Sequence, residues 1–387
     1  MQTTPFGTVL ALWGAGLGAA AQYAKVSVIF DQLPTIYPDA GASIGFIVSL
    51  VGMVGIVLGV AAGLLVARIR YRRALLWALW VGAGVSLLEA LLPPLPLMLG
   101  LRALEGMSHL LIVVAAPTLI AQISAERHRG LTLTLWSTFF GVAFTILVFG
   151  GLPLVEAQGI SALFLAHGIW MVAFALILGL TLKPLGLAPP TERLTLASLL
   201  QDHLAIYRSP RMAAPAAGWL FYTFCFLATL TVLPPYMPDG ARALVLGVMP
   251  LTSIVVSMTL GVGLLRVITA IQVIQLGFGL TILSLIWLLM APGAPVACIA
   301  WASAVGLVQG ASFAAVPELN TTAETQARAN GAMAQMGNLG NTIGTPALLA
   351  IMGLSGYAGL IWTTIVVFAG GILIHLWMAQ RRKRIAY

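Results

Sequence analysis

The sequence predicts an all-helical, polytopic membrane protein, and three observations lead there. Of its 387 residues 60% are hydrophobic and only 8% are charged, against about 25% charged in a soluble domain. The mean hydropathy is +1.01, so most of the surface cannot face water. The apolar runs are also long: Ile44–Val66, Ala103–Ala121 and Ala213–Leu233 each approach the ~20 residues that cross a bilayer as helix. A membrane barrel has shorter alternating segments of ~10 residues.

Twelve candidate spans follow along the chain, near 5–30, 43–66, 73–92, 96–121, 131–153, 160–182, 212–235, 242–264, 267–290, 296–317, 330–352 and 356–379. Gly (41) and Pro (21) recur inside them, which lipid tolerates where neighbouring helices re-satisfy the freed backbone.

Basic residues in the loops set the orientation. Arg68, Arg70, Arg72, Arg73, Arg127 and Arg129 fall on one side, with Lys183, Arg193, Arg208, Arg211, Arg266, Arg328 and the basic tail 381–384. The opposite loops carry Asp31, Asp39, Glu156 and Asp239, with Arg242 their only arginine. A multi-pass protein of the cytoplasmic membrane with both termini cytoplasmic is expected. This asymmetry accounts for the net charge of +8, so no nucleic-acid partner is implied; the partners expected are the lipid bilayer and a small-molecule substrate. The first basic residue is Lys25, and without a basic n-region no cleaved leader is expected. Cys225 and Cys298 lie within spans and lack metal or disulfide spacing. They read as small core hydrophobes, and no metal site is expected.

The chain repeats itself at one offset. LPTIYPDA (33–40) returns as LPPYMPDG (233–240), so that Pro34 and Pro234, Pro38 and Pro238, and Asp39 and Asp239 are each 200 positions apart. Gly63-Leu64-Leu65 matches Gly263-Leu264-Leu265, Gly106 matches Gly306, and Ala115-Ala116-Pro117 matches Ala315-Val316-Pro317. Ordered matches at a single offset mark an internal repeat. Six spans repeat as six in the same orientation, giving a first half (1–182), a cytoplasmic linker (183–211) and a second half (212–387).

Two parallel six-helix halves are one of the repeat architectures of secondary transporters, and the motifs agree. GLLVARIRYRR (63–73) resembles the cytoplasmic loop signature of the major facilitator superfamily, a glycine followed by an aspartate-arginine pair and basic residues. It departs at Ala67, where the family has aspartate, and at Arg70, where it has a second glycine; the charge latch between halves thus lacks its aspartate. LGLRALEGMSHL (99–110) resembles the family's fourth-helix motif, with Arg102 and Gly106 at its arginine and glycine. GVAFTILVFGG (141–151) matches the exporter signature of the fifth helix without its central Gly-Pro, and ANGAMAQMGNLGNTIG (329–344) is typical of the eleventh helix. The resemblance implies the superfamily's twelve-helix fold, alternating access, and a gate loop that here holds Arg68, Arg72 and Arg73. It also implies a central cavity lined by the first, fourth, seventh and tenth helices.

Ionisable groups inside spans are expensive and therefore informative. Arg102, Glu105 and His109 share one face of the fourth span, and Lys25 on the first lies at a similar depth. One reading is a cationic site in which Lys25 and Arg102 bind an anion such as a carboxylate, with Glu105 or His109 exchanging a proton. The other is structural: Arg102 and Glu105 neutralise each other while Lys25 reaches the interface, with Asp31 its one evident partner. Gln22, Tyr23, Trp219, Tyr222, Trp301, Gln309 and Phe313 fall on the cavity-lining helices, and aromatics with a few amides suit a small organic ligand. Helix packing is the alternative for each.

No phosphate-binding loop, HExxH pair or nucleophile elbow appears, so neither an enzyme nor an ATP-driven pump is expected. The reading is a secondary transporter of a small organic solute that draws on a proton or ion gradient and needs no cofactor. A monomer suffices for the cycle. The alternatives are an exporter of drugs or metabolites and, more remotely, a membrane sensor on a transporter fold.

Overall fold

The computed structural model describes residues 3–40, 44–183 and 196–385, and among these there is helix and no strand. The membrane helices are α1 (Phe6–Ser27), α2 (Gly45–Ile69), α3 (Tyr71–Glu89), α4 (Leu95–Ile123), α5 (Glu126–Gln158) and α6 (Ile160–Thr181). The second set is α7 (Ala213–Val232), α8 (Asp239–Leu264), α9 (Ala270–Met290) and α10 (Pro295–Leu319). One long helix, Ala323–Ile385, follows, broken where Gly356 takes φ +63°, which gives α11 (323–355) and α12 (357–385). The sequence ends the eleventh span at 352 and begins the twelfth at 356, so the break falls at the predicted start of the twelfth, on the residue type best suited to a left-handed φ. Arg193 lies outside the described residues, as do all linker residues from 184 to 195; within the rest of the linker Leu196–Arg208 is helical.

The chain forms two compact units, and α5 belongs to both. The first unit runs to Ala125 and resumes at Thr138; the second holds Glu126–Ser137 and all from Leu196 on. Within the second unit that opening stretch of α5 packs on α10, where the Gln309 amide donates to the Ser137 carbonyl at 2.5 Å. Both α5 and α8 carry one π-helical turn, Leu147–Gly151 and Ser257–Gly261.

One pair of glycines at the repeat offset makes the same kind of close approach in each unit. In the first, a Cβ on Gly106 of α4 would stand 3.0 Å from the Val51 Cα of α2. In the second, a Cβ on Gly306 of α10 would stand 2.3 Å from the Ser253 carbonyl oxygen of α8. Small residues let helix backbones meet in lipid, where apolar surface gives helices no reason to associate. Pro117 and Pro317 also sit inside their helices at matching points. The repeat read from sequence is therefore a repeat of packing.

The turns differ. Between α2 and α3 a single residue, Arg70, bridges the helices at φ +76° and ψ +127°. This is where the family signature has its second glycine. Between α8 and α9, Thr269 caps the following helix, its side chain accepting from the Gln272 N–H in a full capping box.

Candidate functional site

Lys25 lies in the last turn of α1, Glu89 ends α3, and Arg102 and Glu105 occupy the early turns of α4. All four side chains are therefore brought to the same end of the first unit, and all four are fully buried. The Lys25 Nζ is 2.6 Å from Glu89 Oε2 and 2.5 Å from Glu105 Oε1. The Arg102 guanidinium pairs with Glu105 through Nη1 and stands 3.5 Å from Glu89 Oε1. Charges alternate around a closed ring of two cations and two carboxylates, with no net charge. Taking four ions out of water costs several kcal/mol each unless geometry and hydrogen bonds restore it, and here both are present.

Arg102 donates from Nε to the Ile47 carbonyl at 2.6 Å and from Nη2 to the Gln22 carbonyl at 2.7 Å. It thereby ties α4 to α2 and α1. Lys25 has three protons, and Ser86 Oγ at 2.6 Å takes the one that Glu89 and Glu105 leave. His167 of α6 completes the arrangement. Its Nε2 is 2.9 Å from the Gly18 carbonyl, which can only accept, so Nε2 carries the proton. Its Nδ1 is then an acceptor, 2.6 Å from Ser86 Oγ. The run of donors is thus defined from Lys25 through Ser86 to His167 and the Gly18 carbonyl, while both carboxylates accept from Lys25. The Lys25 ammonium also sits 5.0 Å from the Phe164 ring centroid. One oxygen stands apart: Glu89 Oε1 accepts no hydrogen bond, whereas Glu105 is engaged at both oxygens.

Against the sequence expectations, Lys25, Arg102 and Glu105 do come together, and through carboxylates rather than by facing each other. Lys25 has two acidic partners, where the sequence suggested only Asp31, whose side chain lies outside the described residues. Glu89, at the end of α3, is buried in the ring. His167, from α6, brings its Nδ1 to 3.3 Å from the Lys25 Nζ. Ser86 and Glu89 lie at i and i+3 on α3 and so share a face; that spacing was the available signal.

The other first-unit candidates surround the ring. The Gln22 amide donates to Ser108 Oγ at 2.9 Å, and Ser108 donates to the Ala78 carbonyl at 2.6 Å. His109 donates from Nδ1 to the Ala19 carbonyl at 2.8 Å and presents its ring to Tyr23 edge-on, with centroids 5.1 Å apart. The expected gate loop is reduced to Arg70, with Arg68 in the last turn of α2 and Arg72 and Arg73 in the first turn of α3; Arg72 donates to the Leu182 and Gly179 carbonyls at 2.7 and 2.6 Å, pinning α3 to the end of α6. Arg68 is half-buried and Arg73 exposed.

In the second unit the aromatic candidates form a stacked column. Trp219 and Tyr222 lie 4.6 Å apart, Tyr222 and Phe226 5.1 Å, and Phe226 and Trp301 6.1 Å, all within 17° of parallel. Phe313 meets Trp219 edge-on at 5.2 Å. Trp301 is fully buried and its Nε1 makes no hydrogen bond.

The sequence profile of the Major Facilitator Superfamily matches residues 12–345. No curated protein matches the chain by sequence. Among solved structures it is similar to the E. coli fucose:proton symporter FucP, at 16% identity and TM-score 0.75, covering 95% of this chain and 98% of that one. It is similar to the proton:xylose symporter XylE bound to 6-bromo-6-deoxy-D-glucose, at 15% identity and TM-score 0.74, covering 97% and 95%. It is also similar to the human organic anion transporter MFSD10 (TETRAN), at 13% identity and TM-score 0.75, covering 95% and 98%. At these identities the likeness is one of fold.

Proposed function

The chain belongs to the Major Facilitator Superfamily, and on that premise we propose that it is a secondary active transporter that moves a small organic anion, such as a carboxylate, together with a proton across the cytoplasmic membrane. The observation that carries this reading is the buried ring of Lys25, Glu89, Arg102 and Glu105. With both carboxylates ionised the ring is neutral and its cations are fully engaged. Protonating one carboxylate leaves the ring with a net charge of +1 in a low-dielectric setting. An anionic solute restores neutrality, its carboxylate matching the Arg102 fork and the movable Lys25 ammonium. Proton and anion then enter as one neutral load, which makes the gradient of one available to the other. Glu105 and Glu89 are the exchanging groups in this scheme, with His109 at hand beside Tyr23. Support comes from the fold likeness, since two of the similar structures are proton symporters and the third is an organic anion transporter.

On this reading both termini lie in the cytoplasm, which the loop charges support, and alternating access between the two repeats is the mode of action that the family implies. Within the second unit the aromatic column of Trp219, Tyr222 and Trp301 with Phe313 offers flat apolar faces of the kind that suits a small organic ligand.

The test is thermal stabilisation of the purified protein by a panel of organic anions, cations and neutral sugars at several pH values. A ligand that binds only the folded state raises its apparent stability by mass action. Carboxylates are expected to stabilise most, and more so as the pH falls. In reconstituted vesicles Glu89→Gln or Glu105→Gln should leave anion binding in place while removing its pH dependence. Stabilisation by neutral sugars or organic cations but not by anions overturns the anion reading and brings the exporter alternative forward.

A further inference from the structure

The carboxy-terminal end of α12 joins two features that neither packing nor the ring explains. Val366, Leu373 and Trp377 are exposed at 65%, 64% and 49%. Their spacings of seven and four residues put them on one helix face. The same spacing continues to Arg381 and Arg384, so an apolar strip runs straight into two arginines. The Arg381 guanidinium lies over the Trp377 ring, 4.9 Å from its centroid.

The strip ends in a built cationic corner rather than a loose tail. Arg381 donates to the Arg208 carbonyl at 3.1 Å and Arg382 to the Pro210 carbonyl at 2.9 Å. Asn320 holds the Arg211 carbonyl at 3.3 Å. Arg208, Arg211, Lys383 and Arg384 are exposed, and Arg381 and Arg382 half-exposed. Of the nearby carboxylates, Asp202 and Glu324 pair with Arg328, while Glu318 accepts from the Ala270 N–H and offsets part of the Arg382 charge. Six positive charges therefore gather at the head of a lipid-facing apolar strip.

We propose that this corner is a binding site for an anionic phospholipid, with its acyl chains along Val366, Leu373 and Trp377 and its phosphate against Arg381, Arg384 and Arg211. A diacyl phosphate has the shape the surface asks for, an apolar body with an anionic head. A free phosphate uses only the arginines and leaves the strip without a role. Basic clusters at the end of a membrane helix attract anionic headgroups, each charge adding to the affinity.

The experiment is native mass spectrometry of the full chain in neutral detergent with phosphatidylglycerol, with phosphatidylcholine of identical chains, or with inorganic phosphate. Phosphatidylglycerol should be retained in preference to phosphatidylcholine, and inorganic phosphate should not displace it. Binding should weaken roughly fivefold for each arginine removed in Arg381→Gln and Arg384→Gln. A control pair, Arg127→Gln with Lys183→Gln, removes as much charge elsewhere and should leave retention unchanged. Should loss of the Arg381 bonds unfold the chain, the exposed pair Arg211→Gln and Lys383→Gln gives the same readout. Equal retention of the two lipids, an equal loss in the control pair, or displacement by inorganic phosphate each overturns the proposal.

Discussion

At positions 200 residues apart the two halves carry opposite chemistry. Lys25, Glu89, Arg102 and Glu105 in the first correspond to Cys225, Leu289, Ala302 and Val305 in the second. Cys225, Ala302 and Val305 are as buried as the charges they stand for, and Leu289 packs against the same apolar core. The glycine close approach, by contrast, is kept in both, at Gly106 and Gly306. The scaffold thus needs the glycine and does not need the ions. Among its described residues the second half is packed without a buried Asp, Glu, Lys or Arg, so the ring is a feature the first half carries beyond what its fold demands. That comparison is the strongest argument that the ring serves transport rather than assembly.

The largest effect should come from removing one member. Lys25→Met leaves two carboxylates buried against a single guanidinium, and breaking such a network typically costs about 3–5 kcal/mol. Thermal or denaturant unfolding in detergent measures it, and adding Glu89→Gln should recover part of the loss by restoring charge balance. A Lys25→Met protein as stable as the parent removes the premise that the four groups act as one.

The comparison sharpens when the whole ring is made apolar, as in the second half. Lys25→Met, Glu89→Leu, Arg102→Met and Glu105→Leu together should unfold less readily than Lys25→Met alone, since replacing buried ions by apolar groups of similar volume is often neutral or stabilising by about 1–4 kcal/mol. Transport in vesicles should nevertheless be lost. A quadruple variant that is stable and still transports makes the ring structural.

What the sequence makes legible follows the same physics. Long apolar runs and the offset repeat announce the helices, and a charge inside a span is costly enough to stand out, which is why Lys25, Arg102 and Glu105 are visible. Glu89 is hidden because it sits at the end of α3, where a wetted carboxylate and a buried one read alike. His167 is hidden because its partners, Ser86 and the Gly18 carbonyl, come from α3 and α1. Nothing local marks α5 as shared between two compact units either, since its apolar run is continuous while its partners change at Thr138.

The shared glycines give a smaller test. Gly306→Ala sets a methyl against backbone, 2.3 Å from the Ser253 oxygen, whereas Gly106→Ala meets Val51 and Val54 at 3.0 Å. Overpacking typically costs about 1–3 kcal/mol, so both variants should lose stability, Gly306→Ala the more. The reverse order in unfolding midpoints contradicts the packing described for the two halves.

The smallest effect concerns the two matching turns. Arg70 holds φ +76° and ψ +127°, a region suited to glycine, and such strain costs on the order of 1–3 kcal/mol for other residues. Arg70→Gly relieves it but gives the unfolded chain more freedom, which offsets roughly 0.5–1 kcal/mol. The sum is a gain of about 1 kcal/mol, read as a higher unfolding midpoint. The second half makes the equivalent turn with the Thr269 cap instead, so Thr269→Ala should lose about 1 kcal/mol. Opposite signs at the two turns mean that one is tolerated and the other optimised. A loss of stability in Arg70→Gly means instead that the arginine side chain holds this turn, and that its departure from the family's glycine is an interaction gained rather than a strain borne.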